Sequence, residues 1–245
     1  MLQQTQVARV IPKYLQFLER FPTPAACAAA TLGDVLRLWH GLGYPRRARN
    51  LHAAATAVTE QGAFPQTLDG LLELPGVGPY TARALLAFAF ESDAAVVDTN
   101  IARVYARTAG RSLSPREVQA CADAALPRGD SWVWNQTIMD LGAVLCRPSK
   151  PGCGECPAQP MCAWRGIGDD PAIGSARVSA RQARFDGSER QARGRLMRAL
   201  QSGTVSASII AETMQRDEAT ARRLLADLVR DGLVVTDGDL VRLPG

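Results

Sequence analysis

A mainly α-helical protein, made of a helical lobe followed by a small α+β module, is predicted by three features of the 245-residue sequence. Apolar residues recur at spacings of three and four through the first 165 residues, the period of one face of a helix. Pro and Gly punctuation falls between those stripes, at Phe21-Pro-Thr-Pro, Gly41-Leu-Gly, Phe64-Pro-Gln-Thr and Pro75-Gly-Val-Gly, and leaves only short connections. The closing stretch GLVVTDGDLVRLP reads as a β-hairpin with an Asp-Gly turn.

The first stripe is Val7, Val10, Ile11, Tyr14, Leu15 and Leu18, and others run through 31 to 40, 47 to 58, 80 to 90 and 114 to 125. Residues 1–165 are therefore expected to form a bundle of eight or more helices without alternating strands. Asp98, in VVDTNIARVYAR, opens a further helix as its N-cap, with Ile101, Val104 and Tyr105 inward. Residues 166–187 are rich in Gly, Ala, Ser and Arg and poor in large apolar side chains, the composition of a linker. Beyond it, Glu189 to Leu200, Val205 to Met214 and Glu218 to Arg230 read as helices, and with the hairpin they give 188–245 the order of a winged-helix module. The last of these helices sets Arg216, Arg222, Arg223 and Arg230 against Asp217, Glu218, Asp227 and Asp231, so it has no net basic face for phosphates. DNA binding by this module and simple packing against a neighbour are equal readings.

At 47% hydrophobic and 21% charged residues the chain can bury a real core. No run approaches the roughly 18 apolar residues of a membrane span, and MLQQTQVARV lacks the pattern of an export signal. Of 28 basic residues 26 are Arg, leaving Lys13 and Lys150, and the only histidines are His40 and His52. Histidine triads and multi-imidazole metal sites are thereby disfavoured.

Four of six cysteines crowd into Cys146-x6-Cys153-x2-Cys156-x5-Cys162, on the Pro- and Gly-rich loop 146–162. Four thiolates on one loop suit tetrahedral zinc or a [4Fe-4S] cluster. Zinc sites pair two short Cys knuckles, whereas this loop has one, so the spacing favours iron and sulfide. Cys27 and Cys121 sit in Ala-rich stretches as small buried thiols.

Pro75, Gly76, Val77 and Gly78 lie between an apolar run and a helix starting near Tyr80, where backbone N–H groups and a helix N-terminus can hold a phosphate. The same residues also make a plain helix-helix turn. Gly41-Leu-Gly-Tyr-Pro-Arg-Arg-Ala-Arg offers an exposed-looking Leu42 and Tyr44 beside Arg46, Arg47 and Arg49, the wedge, ring and cations of a duplex-distorting loop. Asp98, some twenty residues after the hairpin, is a candidate carboxylate beside whatever nucleotide the hairpin holds.

Taken in order, MLQQTQV, GLGY with ARNLH, LPGVGPYTA, VVDTN, MDLGAVLC and the four-Cys loop resemble the helix-hairpin-helix DNA glycosylases with an iron–sulfur loop, and within them the MutY-type adenine glycosylases. The resemblance covers roughly residues 1–165. It implies hydrolytic removal of adenine mispaired with 8-oxoguanine or guanine in double-stranded DNA, by a monomeric cytoplasmic, nucleoid-associated protein of bacterial type. Asp98 would then stabilise the oxocarbenium-like sugar, Asn100 would support the reacting groups, and Tyr80 would lie near the sugar. Gln4, Thr5, Leu42 and Tyr44 would surround the oxidised guanine and the opened stack.

In that family a catalytic glutamate precedes the MLQQT methionine by two residues, and here that methionine is Met1, so the native frame is expected to extend upstream and supply it. Many members also end in a Nudix-like domain, whereas 188–245 reads as a winged helix. Two rivals follow. An endonuclease III-like pyrimidine glycosylase and lyase needs a hairpin lysine for a Schiff base, where this chain has Tyr80. A non-catalytic DNA-binding or redox-sensing relative would keep the fold and cluster without the acid.

Overall fold

The computed structural model describes residues 1–2, 5–178 and 184–245. Gln4 lies outside them. The chain divides into two compact units, one holding residues 1–64, 74–76 and the tail to Gly245, the other Pro65–Glu73 and Val77 through Val178. Among the described residues no strand precedes Val205, and no helix is long and apolar enough to cross a membrane.

In the first unit, α1 (Val7–Arg20), α2 (Pro24–Ala28), α3 (Leu32–Trp39) and α4 (Arg46–Gln61) follow one another through tight turns. Thr23 and Thr31 cap α2 and α3 by accepting the amides of Ala26 and Asp34, which the helix itself leaves unpaired. Gly62 ends α4 in the left-handed region at φ 75°. The stripe on α1 behaves differently from expectation: Val10 is buried with Phe17 and Phe21, but Val7, Ile11, Tyr14, Leu15 and Leu18 are 41–61% exposed.

The tail contributes α10 (Glu189–Ala199), β1 (Val205–Ser206), a short 3₁₀ turn, α11 (Ile210–Met214), α12 (Glu218–Arg230), β2 (Val235–Asp237) and β3 (Leu240–Arg242). The strands form an antiparallel sheet in the order β1-β3-β2, with Val205 opposite Val241 and Asp237 opposite Leu240. Two details differ from the sequence reading. Val205 and Ser206 form a strand rather than the start of a helix, because β-branched Val205 finds a partner in Val241. The two-residue loop is Gly238-Asp239, with Gly238 at φ 57° and Asp237 still paired.

Leu196, Leu200, Met214, Leu224, Leu228 and Leu233 belong to one apolar cluster with Val35, Leu36, Trp39, Leu42 and Ala48. The backbone closes the junction: the Gly33 amide donates to the Pro244 carbonyl, and a side chain at Gly33 would collide with that oxygen.

The second unit holds α5 (Leu68–Leu72), α6 (Pro79–Phe88), α7 (Thr99–Ala109), α8 (Pro115–Ala125) and α9 (Ser131–Asp140), then a π-helical turn at Leu141–Leu145 and the cysteine loop. Ile101, Ala102, Leu113, Val118 and Ala122 form its core with Ala95 and Val97. The extended segment 94–97 is buried, so its peptide groups need partners; Arg83 and Gln119 donate to the Ala95 carbonyl, and α9 serves Ala94 and the Val96 amide. Asn135 accepts from the Val96 amide at 2.8 Å and donates to the Ala94 carbonyl at 2.9 Å, while Ser131 accepts from the Ala94 amide. Part of the expected linker is also fixed here: Ala172 and Ser175 are buried, and Ser175 Oγ accepts from the Leu113 amide.

Replacing Asn135 by Ala would strand buried peptide groups on the segment that leads into Asp98. A loss of about 1–3 kcal/mol is expected in urea unfolding, more than for Ala at an exposed α9 position such as Val133.

Candidate active site

Asp98 stands at the N-cap of α7 with extended backbone, and its Oδ1 accepts the Ile101 amide at 2.7 Å. Its second oxygen accepts from Asn100 Nδ2 at 3.3 Å. Asn100 is aimed in turn by Arg103, whose Nη2 donates to Asn100 Oδ1 at 2.7 Å and to the Gly142 carbonyl at 2.6 Å. Gly142 is glycine because α7 passes so closely that a Cβ would lie 2.7 Å from that of Asn100. Tyr80, in the first turn of α6, belongs to the same environment: burial, and then the charge of Asp98, push its phenol above the ordinary value. It therefore stays a neutral O–H donor at physiological pH.

One turn further along α7, Arg107 organises the cysteine loop. Arg103 Nε and Arg107 Nη1 both donate to the Cys146 carbonyl, at 2.7 and 3.2 Å, and Arg107 Nη1 also reaches Cys146 Sγ at 3.3 Å. Arg107 is 1% exposed and forms a two-point ion pair with Asp170, at 3.0 and 2.6 Å, while lying over the Trp164 ring. The last carbonyls of α7, on Arg107 and Thr108, accept the amides of Trp164 and Ala163.

Cys146, Cys153, Cys156 and Cys162 line one cavity of about 30 Å³ with Arg107 and Trp164. The Arg165 amide points at Cys162 Sγ, and Gly166, at φ 82°, leaves room where a Cβ would stand 3.1 Å from Cys153 Sγ. Burial, followed by the neighbouring thiols of Cys146 and Cys162, pushes the Cys153 thiol up. Among the described residues, however, no group of three or more His, Cys, Asp or Glu converges on a point suited to a single ion.

The other predicted residues surround two turns. Pro75, Gly76 and Gly78 are exposed and Val77 half-buried. Gly76, at φ 77°, lies so close to Asn50 that a Cβ would clash, whereas Gly78 has open space around its Cα and begins α6 without a side-chain cap. In Gly41-Leu-Gly-Tyr, residues 41, 43 and 44 all have positive φ, with Tyr44 at 48°. Thr5 Oγ1 and Arg47 Nη2 donate to the Leu42 carbonyl at 3.2 and 3.1 Å, and Trp39 Nε1 donates to the Gly43 carbonyl at 3.0 Å. Leu42 corrects the sequence reading: it is 3% exposed and packs in the core, because the turn points its side chain inward while Tyr44 remains 37% exposed. Arg46 is paired with Asp231.

Sequence reasoning missed Arg103, Arg107, Asn135 and Asp170. Arginines four apart following an N-cap aspartate were the available signal, obscured by the apolar residues between them.

The Arg107 bonds hold the Asp170 carboxyl below the usual carboxylate range. That pair stabilises fully above about pH 4, and its contribution is lost as pH falls through the lowered folded value. Asp170→Asn, which leaves Arg107 buried without its counter-charge, is expected to cost about 3 kcal/mol at pH 7. Urea unfolding from pH 2 to 7 should show a flatter acid limb than in the parent chain.

Residues 1–127 match the family described as HhH-GPD superfamily base excision DNA repair protein. The chain is 38% identical to the adenine DNA glycosylase of Mycolicibacterium smegmatis, over 98% of this chain and 83% of that protein. It is 41% identical to the Homo sapiens adenine DNA glycosylase over 67% of this chain and 32% of that one. Among solved structures, a thermostable thymine-DNA glycosylase is similar with a TM-score of 0.64 at 28% identity, covering 67% of this chain and 80% of that one. A trapped endonuclease III–DNA covalent intermediate gives a TM-score of 0.61 at 26% identity, with the same coverage. Given a family match over more than half of its residues and relatives that align along nearly its whole length, the chain belongs to the HhH-GPD superfamily of base excision DNA repair proteins.

Proposed function

We propose that this protein is an adenine DNA glycosylase, acting in the cytoplasm on duplex DNA in which adenine is mispaired with 8-oxoguanine or guanine, and hydrolysing the N-glycosidic bond. The observation that carries the reading is the Asp98 carboxylate, fixed by the Ile101 amide and Asn100 at the start of α7, in a chain whose relatives, aligned along nearly its whole length, carry that activity in their names.

Adenine must leave the stack before its glycosidic nitrogen can be reached, at a cost of a few kcal/mol. Backbone amides at the exposed turn 75–78 and the N-terminus of α6 suit a phosphate of the distorted strand. As the base departs, positive charge grows on the sugar, and a carboxylate already held in place stabilises it without reorganisation. Asn100, held by Arg103, keeps that carboxylate from swinging away. Tyr80, a protonated phenol, can donate to a sugar or phosphate oxygen. It offers no amine for a Schiff base, so the reading is hydrolysis rather than lyase chemistry.

Cys146, Cys153, Cys156 and Cys162 would hold a [4Fe-4S] cluster. The donor set of four thiols lining one cavity, the spacing with a single short Cys knuckle and the N–H groups aimed at sulfur support it. When bound, the cluster supplies a rigid cross-link for the loop and an electron-transfer centre. Purified protein should contain iron and acid-labile sulfide, and Cys153→Ser should lose both along with DNA affinity; stoichiometric zinc would overturn this assignment.

Asp98→Asn tests the activity. Asn caps a helix as well as Asp, so thermal stability should hold while single-turnover adenine release falls about 10²–10³-fold. Release at the parent rate would contradict the role given to Asp98.

A further inference from the structure

Arg46, Arg47 and Arg49 stand in the first turn of α4, the positive end of the helix dipole, where a cation is disfavoured. Pro45, the N-cap, adds no side-chain hydrogen bond. The tail supplies the compensation. Asp231 accepts Arg46 at two points, 2.7 Å from Nε and 2.5 Å from Nη2, and its carbonyl accepts Arg49 Nη1. Asp231 is 7% exposed and is the C-cap of α12, so Arg49 also meets the negative end of that helix. Arg47 turns the other way, onto the Leu42 and Gly43 carbonyls and the rings of Trp39 and Tyr44. From α10, Arg190 Nη1 donates to the Tyr44 hydroxyl at 3.3 Å.

Two tail residues thus hold the two ends of the 44–49 segment, just after a turn with three positive φ angles. A tyrosine at φ 48° is strained and persists only where its surroundings hold it. Asp231 anchors the helix start behind it, and Arg190 fixes the tip of the ring.

We propose that the C-terminal tail is part of the lesion-reading surface, with Asp231 and Arg190 as positioning residues that set the Tyr44 ring for the oxidised purine opposite the extruded adenine. This rests on the adenine glycosylase reading. The ring presents a stacking face, and a tail that shares its core with α3 and α4 keeps that face in one orientation. Discrimination between 8-oxoguanine and guanine then depends on residues that touch no DNA.

The test compares the full chain with Asp231→Asn and Arg190→Met on duplexes carrying adenine opposite 8-oxoguanine and opposite guanine. Dissociation constants are read on both duplexes, with single-turnover release at saturating enzyme. Both variants should lose about tenfold of the binding preference for 8-oxoguanine, while maximal release stays within about twofold. Amide exchange should rise at 42–47 and not through the tail core. An unchanged preference in both variants overturns the assignment, as does parallel weakening on both duplexes with exchange raised throughout the tail. A parent chain that prefers the 8-oxoguanine duplex but releases no adenine contradicts the proposed function and leaves the binding comparison to judge the tail.

Discussion

Arg103 and Arg107, one turn apart on the inner face of α7, carry two positive charges into positions only 3% and 1% exposed. Such charges are tolerated only if their N–H groups are used, because an unpaired buried guanidinium is heavily penalised. Their donors go to Asn100, the Gly142 and Cys146 carbonyls, Cys146 Sγ and Asp170. The same demand therefore fixes the partner of Asp98 at one end of α7 and the cysteine loop at the other. Gly142 and Gly166 are consequences of it, since each lets backbone or sulfur come closer than a side chain would allow.

The first unit follows a parallel logic at its surface. Cations placed at the start of α4 are unfavourable locally and are offset by an aspartate and a helix C-terminus distant in sequence. Local propensity and tertiary charge disagree here, and the tertiary term prevails because Asp231 is almost fully enclosed and meets Arg46 in two-point geometry. The tail is thereby joined to α4 by ionic contacts as well as by the apolar cluster it shares with α3.

Much of this was legible in residue spacing. Helix periods and Pro and Gly positions located the helices from 31 to 61 and 79 to 125, and α12 matches Glu218–Arg230. The cap at Asp98 was readable because Asp before a periodic run has one common use. What escaped was what depends on contacts distant in sequence. Leu42 looked exposed beside polar neighbours, and only the left-handed turn shows that it points inward. Val7, Ile11 and Leu15 have the period of a buried face yet stand exposed, since period gives a face and not its partner. Residues 166–178 looked like a linker because small residues dominate, but Ser175 and Asp170 are there for hydrogen bonds rather than apolar area.

Through α7, the cysteine loop and the Asp98 cap form one mechanical unit. Residue-resolved amide exchange on Arg103→Met probes this coupling, because that side chain bonds Asn100 at one end and the Gly142 and Cys146 carbonyls at the other, without a hydrogen bond to Asp98 or to a thiol. Exchange should quicken at Ile101, whose amide Asp98 holds, together with the amides around Cys146, while the core of α8 at Val118 and Ala122 stays protected. Faster exchange near Cys146 with Ile101 unchanged would contradict it.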